Sequence, residues 1–286
     1  MRNLKSFLKK IFSNGLDIFA IVFILLLILA SIFAPLIVQY SPDDQLFEGL
    51  TLQGAPIAPG QEFLLGTDLL GRDLFSRIVY GARTSLLIGV IANSVSVLIG
   101  TILGLIAGYF GKFFESLIMR FTDLMMAFPA LLLAIALAAI LKPSLWIVAL
   151  VITLVNWVQV CRVIYSQTIS LKEKDFVLAA KGYGASNFKI IFNHILPHTY
   201  PTMIVWGTLG ISTTVLLEAT LSFLGIGVQP PTPSWGGIIF ESQSYFVDAP
   251  WLVFIPGAMI VLLALSFNII GDSLRDFFDP TQRGKN

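Results

Sequence analysis

Residues 175–197 read DFVLAAKGYGASNFKIIFNHILP, a polar, patterned insert between two runs apolar enough to cross a bilayer. Phe176, Ala179, Ala180 and Tyr183 fall at i, i+3, i+4 and i+7, the apolar stripe of a short amphipathic helix. Gly182 and Gly184 interrupt it, and Gly184 suits the positive φ that closes a helix. Ser186 is a good N-cap. Phe188, Ile191, Phe192 and Ile195 then repeat the spacing until Pro197 stops the pattern. The segment predicts two short helices joined by a glycine turn, a docking knob at the membrane surface. A pair of interfacial helices resting on lipid is the plainer alternative.

Outward from this insert the chain is mostly apolar. Of its 286 residues 56% are hydrophobic and 12% charged, and the mean hydropathy is +0.84. Soluble domains carry about 25% charged residues, so the composition points to lipid as the solvent. Six runs meet the roughly 20-residue requirement of a spanning helix: 16–38, 84–109, 121–141, 145–166, 202–226 and 250–271. The third is the weakest, with Asp123 in its first turn and Pro129 inside it; bundled membrane helices tolerate such a proline. The first run follows Lys5, Lys9 and Lys10 but exceeds a signal peptide's h-region, so it reads as a retained span. The expected organisation is a segment 1–15, a first span 16–38, an outer segment 39–83, a five-span core 84–272 enclosing the knob loop 167–200, and a tail 273–286.

Lys and Arg placement orients the chain. With the N-terminus inside, one side holds Arg2, Lys5, Lys9, Lys10, Lys112, Arg120, Arg162, Lys172, Lys174, Lys181, Lys189, Arg275, Arg283 and Lys285. The other keeps only Arg72, Arg77, Arg83 and Lys142. Both termini are therefore expected in the cytoplasm. A net charge of +1 offers no basic surface for nucleic acid. The lone cysteine, Cys161, excludes an intramolecular disulfide and reads as a small packing residue.

Inside the spans two features stand out. Gly100, Gly104 and Gly108 form overlapping G-x-x-x-G steps, a flat stripe for close approach by another helix, in this chain or in a partner. Glu218 lies deep in the fifth run, where a carboxylate needs a cavity or a partner. It is a functional candidate, with a structural hydrogen-bond acceptor as the alternative. Two decoys fall away. Residues 66–72 spell G-x-x-x-x-G-R but lack the Lys, the Ser/Thr and the preceding strand of a phosphate loop. His194 and His198 stand four apart with Pro197 between them and no third ligand, so no metal site is expected.

The 175–197 segment resembles the EAA loop of ATP-binding-cassette importer permeases. Ala179, Ala180, Gly184, Leu196 and Pro197 match that pattern, whereas Leu178 replaces its glutamate and His194 its isoleucine. Three further blocks are similar to the C-type subunit of dipeptide, oligopeptide and nickel permeases: GTDLLGRDLFSRIVYGARTSL at 66–86, EATLSFLGIG at 218–227 and GDSLRDFFDP at 271–280.

The resemblance implies an all-α membrane protein of the type I importer permease fold, in a bacterial inner membrane, with no enzymatic activity and no cofactor of its own. ATP and Mg would sit on two separate ATP-binding subunits. A second, homologous permease would complete the pore, and an external binding protein would deliver the solute. It also implies a coupling role for Asp175, Ala179, Ala180, Gly184, Ala185, Ile195, Leu196 and Pro197. Asp68, Arg72, Asp73, Arg77 and Arg83 become candidates for contact with the binding protein or second permease, internal ion pairs being the alternative. A peptide is the first choice of solute on family breadth and nickel the second. A secondary carrier and a membrane enzyme are the rival classes.

Overall fold

The computed structural model describes residues 14–278, which are helical apart from connecting loops and two isolated bridges, Leu50 to Pro56 and Thr67 to Asp73. Arg2, Lys5, Lys9, Lys10, Pro280, Arg283 and Lys285 lie outside the described residues. Helix α1, Gly15–Ile32, begins where the Asn14 side chain accepts the Leu16 N–H at 3.1 Å. The run expected as one span over 16–38 breaks at Phe33, and the single turn α2, Ala34–Ile37, follows with Pro35 in its first turn.

Helix α3, Leu74–Phe110, has 37 residues, about 55 Å at 1.5 Å per residue. It starts ten residues before the expected second span, so residues 74–83 belong to a helix rather than to the outer segment. Asp73 caps it, accepting from Ser76 N and Oγ at 2.8 and 2.6 Å. Gly81 does not break it, because the space a side chain would fill is taken by Trp235, whose Nε1 donates to the Ile78 carbonyl at 3.0 Å.

The third run, expected as one span over 121–141, is corrected to two helices, α4, Lys112–Met126, and α5, Ala130–Ile140, bent by 91°. Pro129, with no N–H to carry the ladder onward, stands at the break. Helix α6, Leu145–Lys172, runs six residues beyond its expected end. Helices α7, Asp175–Gly182, and α8, Asn187–Ile190, form the knob. A π-turn, Ile191–Ile195, leads from α8 into α9, Leu196–Phe223. Pro197 therefore does not stop the knob. It lies in the first turn of α9, directly after the π-turn, and residues Asn187–Phe223 make one 37-residue rod. Helices α10, Trp235–Ser242, and α11, Trp251–Phe278, complete the described chain.

Side-chain pairings fix the helix directions. Gly100, Gly104 and Gly108 face Trp157, Cys161 and Thr168 in that order, so α3 and α6 run parallel. Ser85 meets Glu218 and Asn93 meets Gly207, which makes α9 antiparallel to both. Ser212 meets Asn268 and Leu209 meets Gly271, which turns α11 back again, and Ser273 donates to Asp17 at 2.7 Å, bringing α11's last turns to the start of α1. Two parallel helices need a return between them, so the bent α4–α5 pair counts as a crossing. Five helices are long and apolar enough to cross alone, and the bent pair makes six. One end of the bundle carries the knob and both ends of the described chain; the opposite end carries the 39–73 loop and α10.

The larger apolar clusters among the described residues stack along the bundle. Leu74, Ile78, Trp235 and Leu252 sit at the loop end, Ile88, Ile152 and Leu221 in the middle, and Ile164, Val177, Ile190 and Ile195 at the knob end. Leu16, Leu25, Leu26, Phe113 and Phe254 are exposed on the outer faces, as a lipid solvent permits.

Candidate functional site

The knob is built by local rules. Ala185 N–H donates to the Ala180 carbonyl at 3.0 Å and Gly184 N–H to that of Lys181 at 2.9 Å. That paired bond closes α7 as a Schellman turn with Gly184 at φ +76°. Ser186 then caps α8, accepting from Lys189 N–H at 3.4 Å. The turn is exposed, with no heavy atom within 4 Å of where a Gly184 side chain would start.

The apolar stripes split differently from the expected pattern. Val177, Ile190, Ile191 and Ile195 turn inward onto α3 and α6, while Leu178, Tyr183 (93% exposed), Phe188 (71%) and Phe192 face out. The π-turn adds a residue to one turn and swings Ile190 and Ile191 to the same side as Ile195. Among the coupling candidates Asp175, Ala179, Gly184 and Pro197 are exposed, and Ala180, Ala185 and Leu196 are half-buried. Ile195 is fully buried. It anchors the knob and cannot be a contact residue. Tyr109 adds a tie, its hydroxyl donating to Asn187 Oδ1 at 2.8 Å. His198 stacks on Phe176 and its Nδ1 lies 2.8 Å from the His194 carbonyl oxygen.

At the loop end the charged residues face inward. Arg72 Nε donates to Asp68 Oδ2 and its Nη2 to Glu241 Oε2, both at 2.6 Å. Arg77 donates to the same Glu241 oxygen at 3.0 Å and lies 3.4 Å from Asp68. Both arginines are buried, as are Asp68 and Asp73. The expectation that this group meets a binding protein or second permease is therefore corrected: four of its five members hold the outer loop to α3 and α10. Only Arg83 is exposed. Removing one partner of a buried ion pair costs about 3–5 kcal/mol, so Arg77→Leu is expected to lower thermal stability by that order and to open the 39–73 loop to protease. Wild-type stability and protection would return Arg77 to the contact surface.

Glu218 is fully buried and accepts from Ser85 Oγ at 3.0 Å and Ser222 Oγ at 2.8 Å. It ties α9 to α3 and lines neither of the two cavities that run along α9. Sequence reasoning passed over Ser85 and Glu241, which stand 133 positions from Glu218 and 164 from Arg77, beyond any local pattern; Ser222, one turn from Glu218, is a local partner. The glycine stripe meets a helix of the same chain, and Cys161 is buried against it.

Two of the cavities lie along α9. One, of about 390 Å³, sits mid-bundle between α3, the start of α5, α6 and α9. The other, of about 570 Å³, lies toward the knob end between α6, α9 and α11. Trp206 borders both.

Residues 100–284 match the family described as binding-protein-dependent transport system inner membrane component, and residues 3–54 the N-terminal TM domain of oligopeptide transport permease C. The chain is 46% identical to the dipeptide transport system permease protein DppC of Alkalihalophilus pseudofirmus, covering 96% of this chain and 89% of that one. It is 36% identical to the oligopeptide transport system permease protein OppC of Bacillus subtilis, covering 95% and 87%. Among solved structures, an inward-facing conformation of the MetNI methionine ABC transporter superposes with a TM-score of 0.57 at 16% identity, over 70% of this chain and 95% of that one. That likeness carries the fold.

Proposed function

Since this chain belongs to the family of binding-protein-dependent transport system inner membrane components, we propose that it is the C-type permease subunit of an ATP-driven peptide importer, paired with a second permease and driven through its 175–195 knob. The observation that carries the reading is the knob's construction. Its outer face is apolar and aromatic, its inner face is anchored by Val177, Ile190 and Ile195, and its second helix is continuous with α9. An exposed patch of this kind fits a groove on a partner. A push on Phe188 or Phe192 moves the rod that lines both cavities, so work done by an ATP-binding subunit reaches the middle of the membrane without a flexible joint.

The remaining parts follow from chemistry. ATP and Mg belong to the two ATP-binding subunits, and this chain supplies conformational work rather than catalysis. Lys172, Lys174, Lys181 and Lys189 gather at the knob end, whereas two of the loop end's arginines are neutralised by Asp68 and Glu241. That asymmetry favours the knob, and with it both ends of the described chain, in the cytoplasm. The loop end then meets the external binding protein through surface that includes Arg83. The names of the relatives favour peptides over nickel. The test is uptake of labelled dialanine and of nickel ions by cells lacking the gene and by cells with it restored. Loss of dialanine uptake on deletion, rescued by the gene, is the expected result; loss of nickel uptake alone would overturn the peptide reading.

A further inference from the structure

The 390 Å³ cavity holds polar side chains where lipid-facing helices avoid them. Gln159 is 14 residues from Leu145 and 13 from Lys172, about 20 Å from either end of α6. Its side chain is exposed and has no hydrogen-bond partner among the described residues. Asn156, one turn earlier, spends one N–H on Thr214 Oγ1 at 3.2 Å. Asn93 donates to the Gly207 carbonyl at 2.7 Å, and the Thr213 hydroxyl bonds back to Gly210. The lining contains no Lys, Arg, Asp or Glu. A polar side chain at this depth is retained where it faces a partner or a water-filled path. The volume falls within the roughly 300–1,000 Å³ of small-molecule sites.

The knob-end cavity continues the series. Gln167 there donates to Thr202 at 2.6 Å, and its buried Oε1 has no partner. Trp206 stands between the two spaces.

Resting on the permease reading above, we propose that this chain supplies one wall of the solute route along α9, from Thr213 past Trp206 to Thr202. Asn156 and Gln159 are its mid-membrane contacts, and Trp206 is its constriction. Side-chain amides both donate and accept, so they match the backbone amide of a peptide whatever its side chains. The mid-membrane lining, without fixed charge, neither traps nor repels a zwitterion, and Arg275 joins the lining only toward the knob end.

The test uses the assembled transporter in proteoliposomes with Cys161→Ala as parent. Gln159→Cys, Thr213→Cys and Leu150→Cys are each treated with a hydrophilic, membrane-impermeant thiosulfonate. Modification of this chain is followed by mass spectrometry, with and without ATP. Leu150 is exposed on the opposite face of α6 and serves as the control. Gln159→Cys and Thr213→Cys are expected to react at least tenfold faster than Leu150→Cys in one nucleotide state, and binding protein with saturating dialanine is expected to slow them. Reaction as slow as the control in both states would overturn the route and make the amides helix-to-helix or lipid-facing groups. Dialanine uptake by the Cys161→Ala parent separates the two readings. Uptake without labelling overturns the route alone; labelling without uptake or protection overturns the peptide contact and leaves the permease's route without its solute.

Discussion

Gly104→Leu is expected to destabilise the bundle by forcing α3 and α6 apart. A Cβ at position 104 would lie 2.7 Å from the Cys161 carbonyl oxygen, 2.9 Å from Ile164 Cβ and 3.0 Å from Tyr165 N. None of these is the far end of a flexible side chain, so α3 and α6 must move apart. Gly100 and Gly108 on the same stripe are as tight, each with a closest approach of 2.6 Å. Separation at the middle therefore strips contacts at both ends. Overpacking costs about 1–3 kcal/mol where neighbours can repack; against backbone the upper end applies, roughly a 10 °C loss in thermal midpoint on the scaling of soluble domains. The check is thermal unfolding of the purified subunit in detergent, beside Gly207→Ala. Position 207 has nothing within 4 Å, so that control should stay near wild type. A Gly104→Leu protein as stable as the control would mean that the α3–α6 approach is looser than described.

The fold was legible where lipid dictates it. A span needs about 20 apolar residues whatever its neighbours, so 16–38, 84–109, 145–166, 202–226 and 250–271 each led to a helix. Their ends were less legible, because helices continue past the bilayer once side chains there find protein to pack on. Pro197 reads as a stop until the π-turn is known to carry the helix past it. The 121–141 run has the composition of a span but only the geometry of a bent pair, since hydropathy carries no information about direction.

The site divides in the same way. The knob turn depends on neighbours in sequence, so Gly184 and Ser186 announced it. Which face of each short helix turns inward depends on the π-turn and on α3 and α6, and there the periodicity misled: it grouped Phe188 with Ile195, although one is exposed and the other buried. Asp68 and Arg72, four apart, were visible as a charged cluster. The acid that makes them internal, Glu241, was not. Gln159 and Asn156 passed unremarked because a single polar residue hardly lowers the mean hydropathy of a long apolar run.

Gly184→Val is expected to lower dialanine uptake at least tenfold while the chain is inserted at wild-type abundance. The turn requires φ +76°, and a β-branched residue held there costs about 1–3 kcal/mol. Nothing lies within 4 Å of the substituted position, so that cost is conformational and not steric. It falls on the pairing of α7 with α8 and leaves the buried anchors Val177, Ile190 and Ile195 in place. Gly184→Asn separates the two causes, since Asn visits the left-handed region readily and should keep most of the uptake. Phe188→Ser with Phe192→Ser should leave stability nearly unchanged, both rings being exposed and in tilted contact with each other at 4.2 Å between centroids. If those rings fill the groove of the ATP-binding subunit, their loss removes contacts of hot-spot size, about 2–4 kcal/mol, and that subunit no longer co-purifies. Ile195→Ser should do the reverse, destabilising the knob before it weakens docking. Normal uptake by Gly184→Val, or full retention of the ATP-binding subunit by the double serine variant, would show that force enters the bundle elsewhere. Retention would leave the continuous α8–α9 rod as a structural strut.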